Sequence, residues 1–193
     1  MKILNREDYL TKASNIILAG LFVKAGYKLP EKLRLTCGLP SKGAFGAKLR
    51  TIGQCWSPEV SSDDTIEIMI SPTVDDNQMM LGVLVHELVH AVVGNKEGHG
   101  KVFKQCAIAV GLTGKMTATT STDTLIDYLQ TNVIAVLGDY PHAKIDYTKQ
   151  KKQTTRMIKC ECESCGYVVR TSRKWVEIAL PICGVCSETM QIV

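Results

Sequence analysis

The stretch LVHELVHAVVGNKEGHG, residues 84–100, joins an apolar helical pattern to three of the four histidines in the chain. From residue 79 to residue 93 the only polar side chains are His86, Glu87 and His90. A helix that is apolar on all sides is buried on most sides, and an unpaired buried polar group costs roughly 2–7 kcal/mol. These three side chains therefore require a compensating partner inside the fold.

The spacing of the three polar residues indicates a metal ion as that partner. His86 and His90 are four residues apart, so they share one helix face with Cβ atoms about 5–6 Å apart and can reach one ion. Glu87 lies about 100° around the helix from His86. It is too far away to be a third ligand on the same face but near enough to act on a water bound to the ion. This His-Glu-x-x-His arrangement is typical of zinc metallopeptidases, in which zinc is a Lewis acid and the glutamate is the catalytic base.

A catalytic zinc usually has three protein ligands and one open position, so a third ligand is expected nearby. His99 is the first candidate, because Gly98 and Gly100 on either side of it allow the backbone to bring the imidazole close to the helix. Glu97 is the competing candidate, although the flanking glycines favour His99.

Five of the eight cysteines lie in the last 34 residues and form a second metal-binding pattern. CESC at 162–165 and CGVC at 183–186 are two C-x₂-C pairs separated by seventeen residues, which is the spacing of a structural four-cysteine zinc site. A segment of about 35 residues has too small a core to fold alone, so zinc should supply folding energy. The predicted ligands are Cys162, Cys165, Cys183 and Cys186, with Cys160 as an alternative to Cys162.

The net charge of +4 also comes from the C-terminal part of the chain. Residues 1–143 hold 14 basic and 14 acidic side chains, whereas residues 144–193 hold 9 basic and 5 acidic side chains. A four-thiolate zinc site would itself contribute −2, so this excess is a modest signal for nucleic acid. Basic and aromatic side chains between the cysteine pairs could contact phosphates and stack on bases: Arg170, Arg173, Lys174 and Trp175. A solvated hairpin whose tryptophan covers a small core explains the same residues equally well.

The remaining pattern predicts an α+β chain with a small antiparallel or mixed sheet. The predicted helices cover residues 7–25, 76–93, 99–111 and 124–137, and the predicted strand regions are 32–35, 49–56 and 65–70. A capping box of Asp75 and Gln78 is expected to open the second helix. The domains are predicted at 1–137 and 158–193, joined by a polar, basic linker at 138–157.

A hydrophobic content of 45% is enough for a buried core, and the chain starts without the layout of a secretory signal. Its early apolar run is too short to span a bilayer. The cysteines fit a reducing compartment, because pairs two residues apart indicate metal and not disulfides there. We therefore expect a cytoplasmic protein that acts inside the cell and not in a membrane.

The sequence resembles the SprT-like zinc metallopeptidase family, which includes proteases of DNA–protein crosslink repair. The resemblance rests on HELVHA at 86–91, on Gly98-His99-Gly100 followed by Phe103, and on the cysteine-rich C-terminus. It covers residues 60–110 and 158–193. It implies a zincin-like metallopeptidase domain followed by a zinc ribbon, with these residues as the zinc ligands and base: His86, His90, His99 and Glu87.

Two functions of different classes follow from these patterns. The first is a zinc-dependent endopeptidase with one catalytic and one structural Zn²⁺, which cleaves proteins bound or crosslinked to DNA and uses its ribbon to bind nucleic acid. The second is a non-catalytic nucleic-acid-binding or transcription-associated protein whose first domain keeps zinc only as structure. Glu87 favours catalysis, because a structural zinc site has no need of it.

Overall fold

The computed structural model of the chain describes three stretches: residues 4–44, 50–149 and 157–193. The chain divides into two compact units, Met1–Asp146 and Tyr147–Val193. Both units combine helices with small sheets, which confirms the predicted α+β class. The division between the units falls within the segment 138–157 that the sequence predicts as a linker.

The first unit contains five helices and five strands among its described residues. In chain order these are α1 Arg6–Ile17, β1 Leu33–Cys37, β2 Gly53–Trp56, β3 Ile66–Ile70, α2 Asn77–Val93, α3 Lys101–Ala109, β4 Leu112–Lys115, β5 Ala118–Ser121, α4 Asp123–Leu129 and α5 Ala135–Leu137. Wider helical turns at Leu18–Phe22 and Gln130–Ile134 continue α1 and α4. Among the helices of residues 4–44, 50–149 and 157–193, none combines the length and the hydropathy that a membrane span requires.

Strands β1, β2 and β3 form a mixed sheet in the order β1-β3-β2. β1 runs parallel to β3, and β2 runs antiparallel to β3 along the edge of the sheet. Leu35, Ile68 and Ile70 point from this sheet into the core that α1 and α2 share. Leu49 of the second predicted strand region lies outside the described residues.

Helix α2 runs through the core of the first unit, as its apolar sequence predicts. It begins after Asp76, whose carboxylate accepts a hydrogen bond from the Met79 N–H at 2.7 Å. The predicted capping box at Asp75 was therefore wrong by one residue, because the Asp75 carboxylate instead pairs with Lys144 at 3.4 Å. The helix ends at Gly94, whose φ of +92° lies in the left-handed region that favours glycine.

An antiparallel hairpin of β4 and β5 follows α3, and the sequence did not predict it. The buried Leu112 attaches its first strand to the core. Both the N–H and the hydroxyl of Thr122 donate to the Gly111 carbonyl at 2.9 Å, which closes the base of the hairpin. The hairpin is therefore held firmly at its open end.

Residues 138–146 of the predicted linker lie in the first unit. The Tyr9 hydroxyl donates to the Gly138 carbonyl at 3.0 Å, and the Tyr140 N–H donates to the Asn77 side chain at 2.9 Å. Tyr140 is itself part of the core at 4% exposure. These contacts make the start of the segment part of the packed unit, whereas residues 150–156 lie outside the described residues.

The second unit contains a three-stranded antiparallel sheet in the order β7-β6-β8. Its described elements are β6 Ile158–Glu161, β7 Val168–Thr171, α6 Arg173–Val176 and β8 Gln191–Ile192. Its small core is built around Cys160 and Met190, with Ile158, Val169 and Val176 packed against them. A β-hairpin beside a four-cysteine cluster is consistent with a zinc ribbon.

Candidate functional site

Three histidine side chains converge beside α2. His86 and His90 project from this helix, and His99 follows the short turn Asn95–Glu97 that leads to α3. The Nε2 atom of His99 lies 3.2 Å from the Nε2 atoms of both His86 and His90. All three rings therefore direct Nε2 toward one point, and the fold brings together the three histidines that the sequence offers as candidate ligands.

The spacing of these nitrogens fits a tetrahedral zinc ion. Zinc–nitrogen bonds of about 2.0–2.1 Å place adjacent ligand atoms of a tetrahedron roughly 3.3–3.4 Å apart. The observed 3.2 Å is close to that separation. Within the described stretches the group that could hold an ion at this point is His86, His90 and His99, without Glu97. Three ligands leave one tetrahedral position for water or substrate.

Phe103 on α3 forms the wall behind the three imidazoles. Its ring is fully buried, and its centroid lies 5.0 Å from that of His86, 4.4 Å from that of His90 and 4.9 Å from that of His99. Gly98, with φ of +51°, makes the sharp turn that brings His99 to this wall. The rings are thus held by packing on one side and left open on the other, where His99 is exposed.

The environment of the histidines keeps their nitrogens uncharged. Burial, with the neighbouring imidazoles, lowers the pKa of His86 to about 3 and that of His90 to about 4. Burial also lowers the pKa of His99. Neutral imidazoles have the free lone pair that a metal ligand requires, so the cluster is electrostatically suited to a cation.

Glu87 is buried at 6% exposure on the face of α2 that meets the edge strand β2. A Cβ atom added to Gly53 would contact the Glu87 carboxylate and would lie 2.6 Å from Cγ1 of Val83, so a larger residue at position 53 would displace these side chains. Burial raises the pKa of Glu87 to about 8, opposed by a hydrogen bond from the Cys55 backbone. A cation at the histidine cluster would favour the charged carboxylate.

The backbone of Cys55 is held on both sides by side chains from around the cluster. Its N–H acts on the Glu87 carboxylate and partly opposes the rise of that pKa, and its carbonyl accepts a hydrogen bond from the Asn95 side chain at 2.8 Å. Asn95 belongs to the turn between the second and third histidines, so β2 is tied to the same segment that delivers His99. This arrangement fixes the position of the carboxylate relative to the edge strand.

Sequence reasoning missed four residues around the cluster: Gly53, Cys55, Asn95 and Thr119. The last of these places its hydroxyl 2.9 Å from Nδ1 of His86. Three of them come from strands that meet α2 only in the folded chain, and none stands in a recognisable motif with the histidines. Only Asn95 could have been suspected from the sequence, because it lies between Gly94 and His99 in the segment that leads to the third histidine.

The four predicted ribbon cysteines also converge in the structure. The Sγ atoms of Cys162 and Cys186 lie 3.3 Å apart, those of Cys165 and Cys183 3.5 Å, and those of Cys186 and Cys165 3.7 Å. Zinc–sulfur bonds of about 2.3 Å correspond to a tetrahedral edge of roughly 3.8 Å. Cys160 is fully buried in the ribbon core and does not belong to the cluster, so it is not the alternative ligand.

Backbone amides favour the thiolate form in this cluster. Hydrogen bonds from the N–H groups of Cys186 and Val185 lower the pKa of Cys183 to about 6, whereas a hydrogen bond with the Cys162 thiol raises the pKa of Cys186 to about 12. Such bonds to sulfur are the usual support of a structural zinc site. The ribbon cluster therefore has the donor set and the spacing of a closed four-cysteine centre.

The predicted nucleic-acid contacts lie on the surface of the second unit. Arg173, Lys174 and Trp175 share the short helix α6, and the Lys174 ammonium lies 5.1 Å from the centroid of the Trp175 ring. Trp175 is 58% exposed and does not cover the ribbon core. Arg170 is exposed on β7, directly across from Lys159 on β6. Contact with nucleic acid stays a prediction for these residues.

Comparisons with known proteins add no relative to this description. No protein-family model, no curated protein sequence and no solved structure matches the chain. The resemblance to the SprT-like family accordingly rests on the motif residues, and the functional argument rests on the geometry of the two clusters.

Proposed function

We propose that the chain is a zinc-dependent endopeptidase of the His-Glu-x-x-His type with a zincin-like first domain, resembling the SprT-like family. Its substrates are proteins bound or crosslinked to DNA, and its ribbon helps to bind the nucleic acid. The observation that carries the proposal is the set of three imidazoles whose Nε2 atoms lie at zinc-ligand spacing, with the buried Glu87 following His86 directly on the same helix.

In the proposed reaction the residues of the chain divide between binding and proton transfer. His86, His90 and His99 would hold the ion, which as a Lewis acid would activate the attacking water and the scissile carbonyl. Glu87 takes the proton from that water and returns it to the leaving amine. The low exposure of Glu87 supports this role, because burial excludes bulk water from the carboxylate. Bulk water then does not compete with the attacking water for the carboxylate oxygens.

The second unit supports the nucleic-acid part of the proposal. Arg170, Arg173 and Lys174 supply positive charge on the surface of a small zinc ribbon, and the exposed Trp175 can stack on a base. Four of the nine basic residues after position 143 belong to the ribbon itself when Lys159 is included. Such a surface would bring the peptidase to proteins on DNA.

Glu87→Gln tests the catalytic proposal. The variant should retain zinc in both clusters and keep the fold, while cleavage of casein or of the chain itself falls by about 10²–10⁴-fold, because the amide cannot accept a proton. Glu97→Gln is the matched control, since Glu97 is an exposed acid near the third histidine and outside the cluster. If wild-type protein with two bound zinc ions shows no chelator-sensitive cleavage with or without DNA, the non-catalytic nucleic-acid-binding alternative is correct.

A further inference from the structure

Thr119 on β5 is the one hydrogen-bonding partner that the described part of the chain offers to the second ring nitrogen of His86. The Thr119 hydroxyl lies 2.9 Å from Nδ1 of that imidazole. By contrast, the buried Nδ1 of His90 has no hydrogen-bond partner among the described residues. The two helical histidines therefore differ: one is oriented by a hydrogen bond, the other by its packing on Phe103.

The bond to Thr119 selects the tautomer of His86. A threonine hydroxyl can donate or accept, but Nε2 of His86 is the atom that faces the other two imidazoles. Nε2 can serve as a metal ligand only if the ring proton is on Nδ1, and Nδ1–H then donates to the Thr119 oxygen. The hydroxyl thus holds both the protonation pattern and the rotation of the ring.

The packing of the β4–β5 hairpin on α2 explains why a side chain as short as threonine can reach the ring. Gly82 lies one helical turn before His86, and a Cβ atom on Gly82 would come within 2.9 Å of the Ser121 hydroxyl oxygen. Four residues of helix rise about 6 Å, and two residues of strand span about 6.8 Å. Ser121 opposite Gly82 and Thr119 opposite His86 are therefore in matching register.

We propose that Thr119 is a positioning residue of the histidine metal centre: its hydroxyl accepts the Nδ1–H of His86 and so fixes the Nε2 lone pair toward the ion. This inference rests on the metal centre of the proposed function, but not on peptidase activity. Partners of this kind typically change metal affinity by about 10–100-fold when they are removed.

The test is the zinc affinity of the histidine centre in the full chain, measured by competition with a chromophoric chelator. The ribbon contribution is subtracted with the His86→Ala, His90→Ala double variant, which keeps the four cysteines. Thr119→Val, which replaces the hydroxyl by a methyl group of similar size, should bind zinc about 10–100-fold more weakly. Thr119→Ser should restore affinity to within about threefold, because it keeps the hydroxyl.

Thr120→Val is the matched control, because Thr120 is the exposed neighbour on the other face of β5 and should leave the affinity unchanged. The bound cobalt spectrum of the Thr119→Val centre should also change, whereas that of Thr120→Val should not. Wild-type affinity in Thr119→Val would overturn the proposal, and so would equal weakening in Thr119→Val and Thr119→Ser. If the wild-type chain bound no zinc at the histidines, both the proposed function and this inference would be wrong. If the chain bound zinc there but showed no peptidase activity, only the proposed function would be wrong.

Discussion

Gly53→Ala should disable the proposed catalytic base without touching a zinc ligand. The added Cβ would meet the Glu87 carboxylate and would lie 2.6 Å from Cγ1 of Val83 and 2.9 Å from Cδ of Glu87. Carbon atoms pack at about 3.5–4.0 Å, so the carboxylate or the edge strand must move by roughly 1 Å. A displacement of about 1 Å at a reacting group can cost on the order of 10²-fold in rate.

The assay for this variant combines the rate of casein cleavage or self-cleavage with zinc content and thermal unfolding. Overpacking of this kind costs about 1–3 kcal/mol, so the unfolding temperature should fall while both zinc ions stay bound. Gly38→Ala is the matched control, because its Cβ would find its nearest neighbours at 3.8 and 3.9 Å, which is ordinary contact. Wild-type cleavage by Gly53→Ala would refute the proposed role of Glu87, and loss of zinc together with activity would show that the substitution acts through the metal centre and not through the base.

Three further outcomes are expected. Metal analysis of protein purified without chelators should find two zinc ions per chain, and chelators should remove the histidine-bound ion first because its open position admits competing ligands; a value of one would eliminate one of the two centres. Cys162→Ser or Cys183→Ser should unfold the ribbon, seen as loss of one zinc, while chelator-sensitive unfolding of the first unit persists. Arg173→Glu with Lys174→Glu should keep both zinc ions but weaken DNA binding and flatten its salt dependence; unchanged affinity at low salt would show that α6 does not contact DNA.

The sequence predicted the part of the centre that one helix and its following loop supply. The helical register places His86 and His90 together, and the glycines around His99 indicate a turn, so local rules were sufficient for all three imidazoles. The four ribbon cysteines followed from spacing for the same reason. A metal-binding pattern is visible in sequence when its ligands come in short, regularly spaced groups.

The surroundings of the centre could not be predicted in this way. Thr119 meets His86 across 33 residues, and Gly53 meets Glu87 across 34, through contacts that only the packing of strands on α2 creates. The segment LTGKMTATTS that forms β4 and β5 has a single buried side chain at Leu112, so it lacks the apolar alternation that indicates a strand. Its structure is set by Gly111 and Thr122 at its base and by contact with the helix.

The choice between a catalytic and a structural histidine centre depends on what else is buried there. A structural zinc site is closed by four protein ligands, and in the described stretches this one has three. Burial of the Glu87 carboxylate beside β2 opposes folding, since a buried acid either loses its charge or needs a cation nearby. A histidine cluster that served only to stabilise the fold would be more stable with an apolar residue at that position. Retention of a costly carboxylate on the helix that supplies two of the three histidines is therefore better explained by proton transfer than by stability, which is the distinction that Glu87→Gln measures.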